Sequence, residues 1–330
     1  MNNAQWVDGD FTPSPPHPLV VLIGPTAVGK TALSLDLCGR FGGEVINADS
    51  RQVYAGMDVG TAKPSLAEQA GVPHHLLDLR RPDQVLSLAE YQSAAYGVID
   101  RLHAAGKVPF LVGGTVLYVR GVVEGLRIPD VPPNPALRAE LEAVAAAQGW
   151  QPLFARLEAL DPVTAARTDR QNVRRVVRAL EIVITTGKSK TELEGADPPP
   201  YGMLQIGLDM DREALYGRID RRVDEMMAAG LVAETQRLLA AGYSPALPAM
   251  TSLGYREIGA YLQGEMSLDA AVERIKTETH RFVRHQYTWF RRLSGVQWFR
   301  FDPDTPAQRE AVQAQVVEVV AQFLQNAVTT

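Results

Sequence analysis

Cysteine is almost missing from this chain. A single residue in 330, Cys38, excludes an internal disulfide framework and a cysteine-built zinc site, and it fits a reducing compartment. Long apolar runs are missing as well, and no segment reaches the length needed to span a bilayer. Nor is there an excess of positive charge. The 33 Lys and Arg against 38 Asp and Glu give a formal net charge of -5, so the molecule as a whole is no general polyanion binder. A nucleic-acid partner would need local basic patches. Met1 to Pro18 hold neither Lys nor Arg nor an apolar centre, which excludes a secretory signal. Pro13, Pro15, Pro16 and Pro18 predict an extended, disordered tail over residues 1–18. The cytoplasm is the default expectation, with no membrane partner. His74-His75 has no spaced partner cluster, so no metal centre is expected there.

What is present is an ordinary globular balance, 46% hydrophobic, in a chain long enough for two structural units. Leu19-Val-Val-Leu-Ile23 is a short continuous apolar run of the kind a buried parallel strand shows, and a helix is expected from about Lys30. Glu44–Asn47 and Pro109–Val112 are two more strand candidates, separated by helical stretches. Strand–helix alternation of this kind predicts an α/β fold with a parallel sheet flanked by helices. The pattern changes at Pro129, Pro132, Pro133 and Pro135, and again at Asp197-Pro-Pro-Pro200. Between these joints only helices are expected, near 136–147, 152–160 and 172–185. The economical reading is a core built from 19–128 and 201–330 that carries an all-helical insertion over 129–200. After it come a strand at 203–208, long helices near 212–241 and 267–293, a strand at 297–301 and a terminal helix.

The sharpest local signal is Gly24-Pro-Thr-Ala-Val-Gly-Lys-Thr31, a complete G-x-x-x-x-G-K-[ST] spacing that follows a strand and opens a helix. Such a phosphate loop (P-loop) curls so that successive N–H groups point at phosphate oxygens, and the helix N-terminus adds partial positive charge. Lys30 supplies a mobile cation, and the Thr31 hydroxyl can ligate Mg²⁺. The pattern is the one found in ATP-binding and other nucleotide-binding proteins; it specifies a diphosphate or triphosphate and leaves open whether that belongs to a nucleotide. The apolar strand ending in Asp-Glu that usually holds the magnesium water is missing, and so is an Asn-Lys-x-Asp guanine reader. Asp49, just past the second strand, could hold metal-bound water, act as a general base or cap a turn.

Gly113-Gly114-Thr115 follows another strand, so its amides either face the same crevice or form a plain tight turn. Arg218 and Arg222 share one helical face, with Asp220, Asp224 and Glu225 nearby. That face is either salt-bridged and solvated or aimed at a leaving phosphate. Two patches oppose the acidic average: Arg167, Arg170, Arg174, Arg175 and Arg178 in the insertion, and Arg274, Lys276, Arg281, Arg284, Arg291 and Arg292 on the late helix. The second is interleaved with His280, His285, Tyr287, Trp289 and Phe290. Arginine with aromatics suits RNA phosphates and unstacked bases better than a bare solvated face.

In order along the chain, these motifs resemble the tRNA dimethylallyltransferases. The resemblance runs through the 24–31 loop, Asp49-Ser-Arg-Gln-Val-Tyr54, Met57-Asp-Val-Gly-Thr-Ala-Lys-Pro64 and Leu111-Val-Gly-Gly-Thr-Val-Leu-Tyr118. It continues at Asn172-Val-Arg-Arg-Val-Val-Arg-Ala-Leu-Glu181, Arg218-Ile-Asp-Arg-Arg-Val223 and Ser252-Leu-Gly-Tyr-Arg-Glu257, covering nearly everything from Leu19 to about Phe301. It implies transfer of a dimethylallyl group from dimethylallyl diphosphate to N6 of adenosine 37, just 3′ of the tRNA anticodon, with Mg²⁺ and with no need for ATP as a substrate. The loop of Gly24, Pro25, Thr26, Ala27, Val28, Gly29, Lys30 and Thr31 would bind the donor diphosphate, with Thr31 on the metal. Asp49 would be the general base, and Lys30 with Arg218 or Arg222 would serve the leaving group. The resemblance also implies tRNA contacts at Asp49, Ser50, Arg51, Gln52, Thr115 and Arg138, at Gln171, Asn172, Val173, Arg174 and Arg175, and at Thr251, Ser252, Leu253, Gly254, Tyr255 and Arg256. The insertion would hold the anticodon stem-loop, and a monomer is expected. The runner-up is a small-molecule or nucleotide kinase sharing the same loop, and the third choice a nucleotide-dependent RNA-binding switch.

Overall fold

Pro18–Ile23 forms the first strand, β1, of which every residue from Leu19 onward is buried. It belongs to a computed structural model that describes residues 17–328. The tail expected over 1–18 lies outside the described residues up to residue 16, and Pro18 is already part of β1. The chain continues through α1 (Lys30–Phe41), β2 (Gly43–Asn47), β3 (His74–His75), α2 (Leu88–Ala104), β4 (Val108–Gly113) and α3 (Val116–Val123). Next come β5 (Leu126–Arg127), α4 (Pro135–Gln148), α5 (Gln151–Leu160), α6 (Pro162–Ala165), α7 (Val173–Thr186), α8 (Lys190–Leu193) and β6 (Gly195–Ala196). The last stretch holds β7 (Gly202–Asp209), α9 (Arg212–Ala228), α10 (Leu231–Ala240), α11 (Tyr255–Leu262), α12 (Leu268–Phe290), β8 (Val296–Arg300) and α13 (Pro306–Val328).

Contacts divide the chain into two units, 1–122 with 200–330, and 123–199. The larger unit is built on a six-stranded sheet of order β3-β2-β4-β1-β7-β8 in which every pair is parallel. Apolar strands buried on both faces are what such a sheet demands. Val20, Leu22, Phe110, Ile206 and Leu208 meet Leu33 and Leu37 of α1, Leu215 and Ile219 of α9, and Val316 and Val320 of α13. The strands that precede the three motif loops, β2, β4 and β1, lie side by side. Ile23 pairs with Gly113 and Asn47 with Val112, so their carboxyl ends finish level. Ligands of open α/β sheets bind beyond such ends.

One helix expected near 212–241 is two. Gly230, at φ 97°, adopts a left-handed conformation that only glycine takes at no cost, and it ends one helix and starts the next. The smaller unit packs α4, α5 and α7 around Leu141, Leu153, Leu157, Val176 and Leu180. It is not all-helical: β5 and β6 form a short antiparallel ribbon, Leu126 opposite Ala196 and Arg127 opposite Gly195. Two-residue strands carry too little periodicity to be seen in sequence.

Candidate active site

The phosphate loop connects β1 to α1, and its backbone is bent for anions. Ala27 has φ 66° and Gly29 φ 105°, and no side chain caps α1. The N–H groups of Ala27, Gly29, Lys30 and Thr31 have no acceptor among the described residues. Several unpaired donors on one curled loop are costly unless an anion or water meets them. Thr26 differs from the others, since its N–H is used by Gln286 Oε1 at 3.1 Å. Lys30 folds over the loop, donating to the carbonyls of Gly24 at 3.0 Å and Pro25 at 2.8 Å. Burial of its ammonium lowers the pKa to about 8; Asp49 pulls it back up and Arg222 pushes it down.

Asp49 follows β2. Its backbone is pinned from both sides, because its N–H reaches Asn47 Oδ1 at 3.0 Å and its carbonyl accepts from Asn47 Nδ2 at 3.2 Å. Asn47 is in turn buried and fixed by Leu76, and its own carbonyl accepts from Tyr91 Oη. The carboxylate takes the Arg51 N–H on Oδ1 at 2.8 Å, and Oδ2 has no donor among the described residues. The turn after β4 packs directly on this segment. A Cβ on Gly113 would lie 2.2 Å from the Ala48 carbonyl oxygen, Thr115 N–H donates to that oxygen, and Thr115 Oγ1 accepts from Ser50 N–H at 2.9 Å. Thr115 and Ser50 are therefore committed to the scaffold that aims Asp49.

The two arginines of α9 part company. Arg218 donates from Nε to Ala27 O at 2.9 Å and pairs with Asp304, which also holds Arg221. The Arg222 side chain makes no hydrogen bond or ion pair among the described residues. Burial lowers its pKa against the pull of Asp49 and Glu225. A desolvated guanidinium without a hydrogen-bond partner, close to Lys30 and the idle loop amides, has the chemistry that suits an anion such as phosphate.

Around this centre, Gln52 turns its amide onto the carbonyls of Thr61 and Ala62, and exposed Arg51 reaches Pro248 O at 3.0 Å. In the 251–256 segment Thr251 and Arg256 are exposed and Leu253 is half-buried, but Ser252, Gly254 and Tyr255 are buried. Those three are scaffold rather than surface: Ser252 bonds Ala249, Gly254 N–H caps onto Glu257, and Tyr255 donates to Glu234 at 2.6 Å. Glu234, which the sequence reading passed over, is buried and also takes the N–H groups of Asp58, Val59 and Gly60 at 3.0–3.1 Å. A lone carboxylate on an amphipathic helix carries no signal of that kind. Gln286 escaped notice for the same reason.

Within the smaller unit, Arg138 is already engaged through two of its guanidinium nitrogens. Its guanidinium forks onto the buried Glu181 at 2.8 and 2.7 Å, and Arg178 joins at 2.5 Å. Burial works against Glu181 ionising, but bonds from Arg138, Asn134 N–H and Arg178 bring its pKa down to about 2. Arg167, Arg170, Arg174 and Arg175 are exposed and have no ion pair among the described residues, and Arg170 lies over Trp150 at 5.3 Å. They cluster at the N-terminal end of α7, where Gln171 and Asn172 are exposed, Val173 is half-buried and Asn172 Oδ1 caps the helix. The α12 patch is partly neutralised: Lys276 pairs with Asp224, Arg281 with Glu278, and Phe290 is core.

Among the described residues no group of three His, Cys, Asp or Glu could hold a metal, and no helix is long and apolar enough to cross a membrane.

This fold and site define a P-loop protein whose phosphate loop lies beside a carboxylate at the strand ends. A family model described as IPP transferase matches residues 52–293. A tRNA dimethylallyltransferase of Thermomicrobium roseum is 52% identical over 299 residues, 91% of this chain and 90% of that relative. The chain belongs to the tRNA dimethylallyltransferase family. Solved relatives agree. The tRNA isopentenylpyrophosphate transferase of Bacillus halodurans superposes with a TM-score of 0.71 at 39% identity, covering 95% of this chain and 98% of that one. A eukaryotic dimethylallyltransferase acting on tRNA gives 0.73 at 26% identity, covering 89% and 77%.

Proposed function

We propose that this enzyme moves a dimethylallyl group from dimethylallyl diphosphate to N6 of adenosine 37 of tRNA. The observation that carries the reading is the pairing of Asp49 with an anion cradle made of Lys30, Arg222 and the idle amides of Ala27, Gly29, Lys30 and Thr31. A kinase could use the same cradle and a carboxylate base for its acceptor hydroxyl, so membership of the transferase family is what favours prenyl transfer over phosphoryl transfer.

In the reaction the N6–C bond forms as the allylic C–O bond breaks. The electron pair leaves on the diphosphate, and the N6 proton passes to Asp49 Oδ2. An exocyclic adenine amine is a weak nucleophile because its lone pair is delocalised into the ring, so a base at N6 lowers the barrier. The protonated Lys30, Arg222 and the loop amides stabilise charge where it develops. Arg218 keeps the loop in shape through Ala27. To reach a pocket at the strand ends the adenine is extruded from its stack. Exposed Arg174 and Arg175, with Arg167 and Arg170, are suited to tRNA phosphates.

Magnesium fits the donor set at the loop. With no cage of three protein ligands, a hard cation would be held by Thr31 Oγ1, the donor's phosphates and water, as Mg²⁺ commonly is. When bound it neutralises diphosphate charge.

The test is to incubate the protein with tRNA and either dimethylallyl diphosphate or ATP and weigh the nucleosides. Prenylated adenosine formed without ATP supports the reading. Phosphorylation of an added acceptor would select a kinase, and bound but unmodified tRNA a switch protein.

A further inference from the structure

Gln286 is a buried carboxamide on the core-facing stripe of α12, among Val283 and Phe290. It bonds nothing near it in sequence. Its Oε1 accepts the Thr26 N–H at 3.1 Å, and its Nε2 donates to the Gly114 carbonyl at 3.0 Å. One side chain thus joins the loop after β1 to the turn after β4. The turn is itself rigidly seated on the segment that carries Asp49, through the Gly113–Ala48 backbone contact and the Thr115 bonds to Ala48 and Ser50. A Cβ built on Gly114 would stand 2.7 Å from Gln286 Nε2 and 3.8 Å from Lys30 Nζ, so the bridge lies close beside the ammonium.

We infer that Gln286 is a positioning residue for the transfer, a clamp that sets the spacing between the diphosphate cradle and Asp49. The inference rests on the proposed reaction but not on its details. The chemistry of the group is specific: a carboxamide gives one acceptor and one donor at once with no charge. A carboxylate could still receive Thr26 N–H, but it would repel the Gly114 carbonyl and place an anion near the diphosphate. An aliphatic chain of the same length would leave a part-buried N–H and a buried carbonyl unmet, a cost concentrated on the two loops that must hold still.

The experiment compares wild type with Gln286→Met and Gln286→Glu in the full chain. Thermal midpoints check folding, calorimetry measures affinity for inorganic diphosphate, and single-turnover assays measure prenyl transfer. For Gln286→Met, diphosphate affinity and single-turnover rate each fall on the order of tenfold, with tRNA affinity within about threefold. For Gln286→Glu the rate relative to wild type recovers as pH falls, because a protonated carboxyl is again donor and acceptor. A packing role alone would move the thermal midpoint without that pH profile. Wild-type diphosphate affinity and rate in Gln286→Met, or a Gln286→Glu rate ratio indifferent to pH, would overturn the inference. If wild type itself prenylates nothing, the proposed reaction fails instead, and the diphosphate titration still decides whether the clamp exists.

Discussion

Arg218 donates its Nε–H to the carbonyl oxygen of Ala27 across 2.9 Å, tying α9 to the middle of the phosphate loop. Ala27 sits at φ 66°, a conformation unfavourable for a residue with a Cβ, so the bond supports a strained turn. Arg222, one helical turn later, supports nothing in the protein. The two therefore fail differently when removed. Arg222→Ala should weaken donor binding on the order of tenfold or more while leaving the thermal midpoint unchanged or raised, since a desolvated, unpartnered cation is lost. Arg218→Ala should lower both. Donor titrations and melting curves on the two variants check this, and the opposite pattern would reverse the assignment.

Lys30 gives a pH dependence whose sign follows from its position. With the loop free of donor its pKa is about 8, and a bound diphosphate must raise it. Donor affinity is then greatest below about 8 and declines as pH climbs through that value toward the bound-state pKa. Binding at about pH 9 takes up a proton. Calorimetry in two buffers of different ionisation heat should detect the uptake in wild type and not in Lys30→Arg. Equal heats in wild type would contradict it.

The phosphate loop was legible because its chemistry is contiguous: eight neighbouring residues between an apolar strand and a helix. Asp49 was legible as a polar residue at a strand end; the level ends of β2, β4 and β1 put that end beside the loop, and its role as a base belongs to the proposed reaction. The choice between Arg218 and Arg222 was not legible. Both share a face, and only the contact to Ala27 and the partner Asp304, far along the chain, separate them. Gln286 and Glu234 gave no signal, since each acts on backbone groups distant in sequence. Ser252, Gly254 and Tyr255 resemble tRNA-contacting family positions, and their burial and internal bonds, which motif spacing does not convey, are visible only in the structure.

Asp49→Asn keeps the size of the side chain and an acceptor for Arg51 N–H but cannot take a proton near neutral pH. The single-turnover rate should fall on the order of 10²–10⁴-fold. Affinities for tRNA and donor should stay within about threefold, because one neutral hydrogen bond is worth about 1 kcal/mol. A near-normal rate would leave departure of the diphosphate as the only step the protein assists.

Glu181 is a stability prediction for the smaller unit. Its pKa of about 2 lies below the model-compound value of 4.5, so its contribution is complete above about pH 4.5 and fades as pH falls through the window to about 2. The size is on the order of 3 kcal/mol, as an upper figure. Glu181→Gln should lose about that much at neutral pH by leaving Arg138 and Arg178 without their carboxylate, and it should flatten the acid limb. Urea midpoints against pH measure both. An unchanged midpoint would free Arg138 for a direct role at the tRNA.

The most direct measurement of the whole account is product stoichiometry with purified protein, tRNA, dimethylallyl diphosphate and Mg²⁺, and with ATP left out. The account predicts one diphosphate released for each N6-dimethylallyladenosine formed, and no change when ATP is added. Release of single phosphate, or modification that appears only with ATP, would contradict it.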